Sequence, residues 1–204
     1  NNTQDELEYV LESMKKFCKK NKFSFPTFVV IQTGTKVKEM RNVGSFDSPV
    51  RVVDQLASEI QIPKMIEICN KYGILMKEHN ADYLSNDALR WHPRLGIHAS
   101  NVAPEFGVIE TITLLKVFEL NNLYKISDEF LKLAFESNKW EKWLSYNSSL
   151  NDRDKAILAG HYIFSTRDFL ELKEKASRIL ALKSINLDFE LKNAIKGSIK
   201  RYLK

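Results

Sequence analysis

Three of the four histidines in this 204-residue chain fall between Lys77 and Phe106, in the company of Glu78, Asp82, Asp87 and Glu105. An imidazole titrates near neutral pH, and a carboxylate beside it can orient the ring or exchange its proton. Such a stretch suits general acid–base work or the binding of a divalent metal. Within Lys77-Glu78-His79-Asn80-Ala81-Asp82-Tyr83, Asp82 is close enough to His79 to orient it as a base or a metal ligand. Glu78 or Asp82 is then the candidate proton-moving carboxylate. His98 follows on the next apolar run, with Ser100, Asn101 and Glu105 just beyond it. His79, His98 and Glu105 together could hold zinc, which accepts imidazole nitrogen and carboxylate oxygen. No HExxH or paired-cysteine spacing supports that set, and the plainer reading of His79 is a residue that braces a loop. His92, between Trp91 and Pro93, reads as a packed loop residue, and His161 as a structural one.

A second candidate is Thr33-Gly34-Thr35-Lys36. Hydroxyls and backbone N–H groups at such a turn can face an anion, and Lys36, Lys38 and Arg41 lie close in sequence. Thr33, Thr35 and Lys36 are therefore the expected phosphate contacts, with Ser100 and Asn101 as further substrate contacts. No glycine-rich Rossmann or Walker pattern accompanies them.

These residues need elements to position them. Apolar residues at helical spacing predict an amphipathic helix over residues 4–20. Phe28-Val29-Val30-Ile31 reads as a buried strand, and residues 36–50 as a long loop. Helix returns from about Val52 to Tyr72, with a break or restart at Pro63. Ile74–Met76 and Gly96–Ala99 are the next strand candidates, with a loop between them, and a helix is expected from Pro104 to Leu120. The order is an α/β alternation with parallel crossovers. Beyond it, residues 127–137, 151–161, 166–182 and 187–203 all read as helices.

Composition narrows the partners. The formal charge of +5 is carried wholly by residues 171–204, with nine Lys or Arg against four Asp or Glu. That tail lacks the interleaved aromatics of a single-strand platform and matches no zinc-finger or homeodomain spacing. It reads as a solvated helix face, with no nucleic-acid partner expected. No apolar run nears the roughly 20 residues that span a bilayer, so no membrane partner is expected either. Cys18 and Cys69 read as buried thiols of a reducing compartment, which implies a cytoplasmic protein.

Taken in order, these landmarks resemble those of the non-catalytic subunit family of class II tagatose-bisphosphate aldolase. The family's Gly-Thr-Glu-Val-like element is matched by Gln32-Thr33-Gly34-Thr35-Lys36-Val37. Its Glu-Ala-His-Ser-Thr-Asp-Tyr element is matched by Lys77–Tyr83, with the glutamate one residue out of step. Its Leu-Lys-Val-Gly-Pro strand and Thr-Phe helix start fall on Ile97–Phe106, where His98-Ala99-Ser100-Asn101 replaces Lys-Val-Gly-Pro. Its Tyr-Ser-Leu-Ser-Asp-Arg segment falls on Tyr146–Arg153.

The resemblance implies the C-terminal portion of a TIM (β/α) barrel over residues 1–122, with a helical extension packed on it over 123–204. It also implies a phosphorylated sugar ligand, an oligomer and a class II aldolase catalytic subunit as partner. Two activities follow: metal-assisted aldol cleavage or condensation of a phosphorylated ketose, a carbon–carbon lyase reaction, or a non-catalytic role stabilising the aldolase. Another phosphosugar enzyme, such as an isomerase, is a third.

Overall fold

A computed structural model describes residues 3–45 and 56–203. The part of the expected second helix that covers Val52–Gln55 lies outside the described residues. The chain divides into two compact units: residues up to Val37 with Arg41–Val102, and Lys38–Met40 with the chain from Ala103 onward.

The first unit is built on a three-stranded parallel sheet. Strands β1 (Phe28–Ile31), β4 (Leu75–Glu78) and β5 (Ala99–Ser100) lie in the order β1-β4-β5. Phe28 stands opposite Leu75, Ile31 opposite Glu78, and Glu78 opposite Ser100. The strand pairing expected from residues 28–31 and 74–76 is therefore present.

The barrel is not. Among the described residues the only other strands are β2 (Lys36–Lys38) and β3 (Arg41–Val43), an antiparallel pair, and no sheet closes on itself. The fold is a helix-rich α/β fold rather than a TIM barrel. Short β-branched runs report local strand preference, whereas closure requires more strands with a matched tilt and stagger.

Helices α1 (Gln4–Asn21) and α2 (Ser58–Tyr72) pack on one face of this sheet. Thr3 and Glu6 form a reciprocal capping box at the start of α1, which satisfies two otherwise orphaned N–H groups. Leu11, Ile31, Ile62, Met65 and Met76 are almost wholly buried between the layers. Each such side chain contributes roughly 1.5–3 kcal/mol. Pro63 does not break α2, which runs unbroken through it; Gly73 ends the helix in a left-handed conformation at φ 63°. Cys18 and Cys69 are free and buried, and burial pushes the Cys69 thiol up to about 11.

The sequence reading missed two elements. Residues 36–43 form the β2–β3 pair instead of open loop, with Glu39 and Met40 at positive φ in the turn. Residues 86–95 form helix α3 (Asn86–Leu95), capped by the Ser85 hydroxyl, which accepts from the Ala88 N–H.

The second unit is helical: α4 (Pro104–Leu120), α5 (Tyr124–Glu136), α6 (Asp152–Ala159), α7 (Arg167–Ala181) and α8 (Leu187–Tyr202). Phe118, Phe130, Leu114 and Leu180 are fully buried in a shared core. Asn151, Thr166 and Asn186 cap α6, α7 and α8 through their side chains. Helix α4, read from the sequence with the strand region, packs against α8 in this unit. On α8, Leu191 and Ser198 face inward, whereas Ile199 is exposed. The lysines Lys192, Lys196 and Lys200 are solvated.

His161 is the structural histidine expected. Its ring lies against Gly107 of α4, where an added Cβ would come within 2.4 Å of His161 Cγ. Burial, aided by the Lys142 charge, lowers its imidazole to about 4. The unfolded chain therefore takes up a proton before the folded one does. This group's share of stability should be intact above pH 6.5 and decline as pH falls toward 4, a slope that His161→Gln should remove in melting curves. Gly107→Ala should destabilise the protein by about 1–3 kcal/mol through overpacking. Part of that loss should return when His161→Ala is added, measured as a melting-temperature difference.

Candidate functional site

Parallel pairing carries the C-terminal ends of β1, β4 and β5 to one edge of the first unit. The ladder continues past the strands: His79 N–H donates to the Ile31 carbonyl, and Asn101 N–H to the Glu78 carbonyl, each at 3.0 Å. Thr33, Glu78, Ser100 and Asn101 therefore stand at the same edge.

Strand alternation turns Met76 and Glu78 toward the covered face of the sheet and Lys77 toward the other. Glu78 is consequently fully buried. The Thr33 hydroxyl donates to Glu78 Oε1 at 2.6 Å. The second oxygen, Oε2, has His92 Nε2 at 3.1 Å, yet it makes no hydrogen bond among the described residues. Burial pushes the Glu78 carboxyl up to about 7, and the Thr33 hydrogen bond opposes only part of that rise. The group can thus gain or lose a proton near neutral pH, which an ordinary glutamate cannot.

The sequence-derived site residues divide on this geometry. Thr33 and Thr35 are buried with their hydroxyls directed inward: Thr35 donates to the His79 carbonyl at 3.0 Å. Neither hydroxyl is presented to an outside anion in this arrangement. Gly34, at φ 95°, takes a backbone conformation that side-chain-bearing residues rarely adopt. Lys36 is partly buried on β2. Asn42 on β3 ties the following loop by donating through Nδ2 to the Asn80 and Asp82 carbonyls, both at 2.8 Å. Asp82 is buried in that loop. His79 is half-buried, and its Nδ1 has no hydrogen bond among the described residues, so the expected Asp82–His79 bond is not made through that nitrogen.

The expected metal set does not assemble. His79 and exposed His98 belong to the first unit and Glu105 to the second. Glu105, near the start of α4, is already enclosed by α8: Ser198 Oγ donates to Oε1 at 3.2 Å, Arg201 Nη2 to Oε1 at 2.7 Å, and the Tyr202 hydroxyl to Oε2. No group of three or more His, Cys, Asp or Glu able to hold a metal ion occurs among the described residues.

His92 is the site residue that sequence reasoning placed wrongly. It is not in a loop but on α3, where it is buried on the same helical face as Ala88, four residues earlier. The signal was legible: Ser85 ahead of Asn86-Asp87 is a helix start. Pro93 obscured it.

Compared by sequence, the chain matches no protein-family profile and no curated protein. Compared by structure, it is similar to the crystal structure of a probable tagatose 6 phosphate kinase from Sinorhizobium meliloti 1021, with a TM-score of 0.61 and 14% sequence identity. The match covers 96% of this chain and 58% of that one. At that identity the likeness is one of fold, and the chain spans little more than half the length of its neighbour. No helix among the described residues is long and apolar enough to cross a membrane.

The raised Glu78 carboxyl has a consequence for stability. The unfolded glutamate ionises near pH 4.5 and the folded one near 7, so the folded state binds more protons between those values. Stability should fall as pH rises through that window, by up to about 3 kcal/mol at 1.36 kcal/mol per unit. Glu78→Gln should flatten the slope, melting higher than wild type at pH 8 and close to it at pH 4.

Proposed function

We propose that this chain is part of a protein that acts on a phosphorylated ketose sugar, with Glu78 as the group that moves a proton. The observation that carries this reading is the position and state of Glu78. It stands at the C-terminal end of the middle strand of a parallel sheet, the side on which ligands of α/β folds bind, with its carboxyl raised to about 7. A proton donor or acceptor works best when its pKa lies near the working pH. The fold likeness to a probable tagatose 6 phosphate kinase and the order of the aldolase-subunit landmarks favour a phosphosugar as the ligand. The finer reading is aldol cleavage or condensation, in which Glu78 accepts a proton from a substrate hydroxyl as the carbon–carbon bond breaks and returns it in the reverse direction. His79, Asp82, Ser100 and Asn101 line the same edge as candidate contacts.

A second reading is favoured by one observation: Thr33, Thr35 and one Glu78 oxygen are engaged with groups of this chain. A polar edge tied up internally suits a non-catalytic subunit that keeps the fold and stabilises a class II aldolase. Assay of the full-length protein separates the two. With a panel of ketose mono- and bisphosphates, the first reading expects turnover that falls by roughly 100-fold or more in Glu78→Gln without loss of fold. Turnover unchanged in that variant removes Glu78 from the chemistry. Absence of turnover alone, with a raised melting temperature for an added class II aldolase, selects the second.

A further inference from the structure

Glu78 faces a second buried titratable group. His92 reaches it from α3, an element separate from the strand that carries Glu78, and both side chains are more than nine-tenths buried. The two approach to 3.1 Å between Nε2 and Oε2. The opposite carboxylate oxygen is held at 2.6 Å by the Thr33 hydroxyl, which fixes the carboxyl plane. No hydrogen bond reaches Oε2 among the described residues, so the oxygen that faces the imidazole is the one left unsatisfied. A buried carboxylate oxygen in that state is costly when ionised, and the group that stands 3.1 Å from it is the His92 imidazole.

We infer that Glu78 and His92 hold one proton between them, and that His92 is the positioning residue that lets Glu78 give up and recover its proton at the sheet edge. This rests on the reading of Glu78 as the proton-moving group. Within the pair the one proton sits either on the Glu78 carboxyl, facing a neutral imidazole, or on His92, as an imidazolium facing the carboxylate. When it passes to a partner at the edge, the pair is left as a carboxylate and a neutral imidazole, and its return restores the one-proton pair. Burial raises the Glu78 carboxyl to about 7, and the 3.1 Å approach places an imidazole where it can exchange that proton.

Among the described residues, the titratable groups of its own segment are Lys77, His79 and Asp82. Lys77 and His79 alternate to the far side of β4, and Asp82 lies buried in the loop that follows. From β1 and its turn comes Thr33, from β5 Ser100, and from α3 His92.

The test is NMR on the whole protein, with 13C-labelled glutamate carboxyls and 15N-labelled histidine, titrated from pH 4 to 9. In wild type, Glu78 and His92 should respond at the same two midpoints, as a coupled pair does. In His92→Gln, which keeps an amide donor toward Oε2 but cannot hold a proton, the Glu78 midpoint should rise by about one unit or more, a tenfold change in proton affinity. An unchanged midpoint in a folded His92→Gln protein overturns the inference. So does a wild-type His92 that stays in one neutral tautomer across the whole range, a reading that needs no variant. Activity reports separately: unaltered turnover in Glu78→Gln would defeat the functional reading while leaving a shared proton standing.

Discussion

A carboxylate removed from water at the end of a parallel strand must be met by donors or remain protonated, and that constraint organises the first unit. Glu78 is placed there by the pleat, not by choice of a loop. Once Met76 enters the core, period-two alternation takes Glu78 to the same covered face. Everything within reach then answers to it. The Thr33 hydroxyl comes from the turn after β1, and the imidazole of His92 comes from the helix joining β4 to β5. The ladder that continues through His79 and Asn101 holds these contributors in register.

The surrounding loops are ordered by the same logic of backbone satisfaction. Asn42, Thr35 and Asn80 each direct a side-chain donor to a carbonyl of a neighbouring turn. Asn80 and Tyr83 adopt positive φ in the loop so bound. Residues that would look like ligand contacts in a linear reading are, in this fold, partly the means by which the loops close on one another.

The second unit solves a parallel problem with an ion pair. Glu105 sits buried near the first turn of α4, and α8 answers with Arg201, Ser198 and Tyr202. Removing one partner from such a cluster leaves an uncompensated charge, so the penalty of loss far exceeds the net gain of formation. The basic C-terminal helix is thereby divided: Arg201 belongs to the interior network, while Lys192, Lys196 and Lys200 remain in solvent.

Periodicity alone determined the amphipathic first helix, the helical second half, the two main strands and the buried state of both cysteines. It also placed Glu78 on the Met76 face, because alternation is a local property. Other features depended on contacts between residues distant in sequence. The order β1-β4-β5, the lack of closure into a barrel and the pairing of β2 with β3 depend on which strand ends meet. Proton affinity followed the same division: Glu78 is an unremarkable glutamate in sequence, and only burial lifts it to about 7. Glu105 reads in sequence as a candidate metal ligand, and only the fold brings Ser198, Arg201 and Tyr202 of α8 to it. His92 could be read as a loop residue until α3 carried it to within 3.1 Å of a carboxylate whose sequence position is fourteen residues earlier. Local spacing dictates the conformation of short segments, but burial and charge environment arise from tertiary packing, and those decided which of the candidate residues meet.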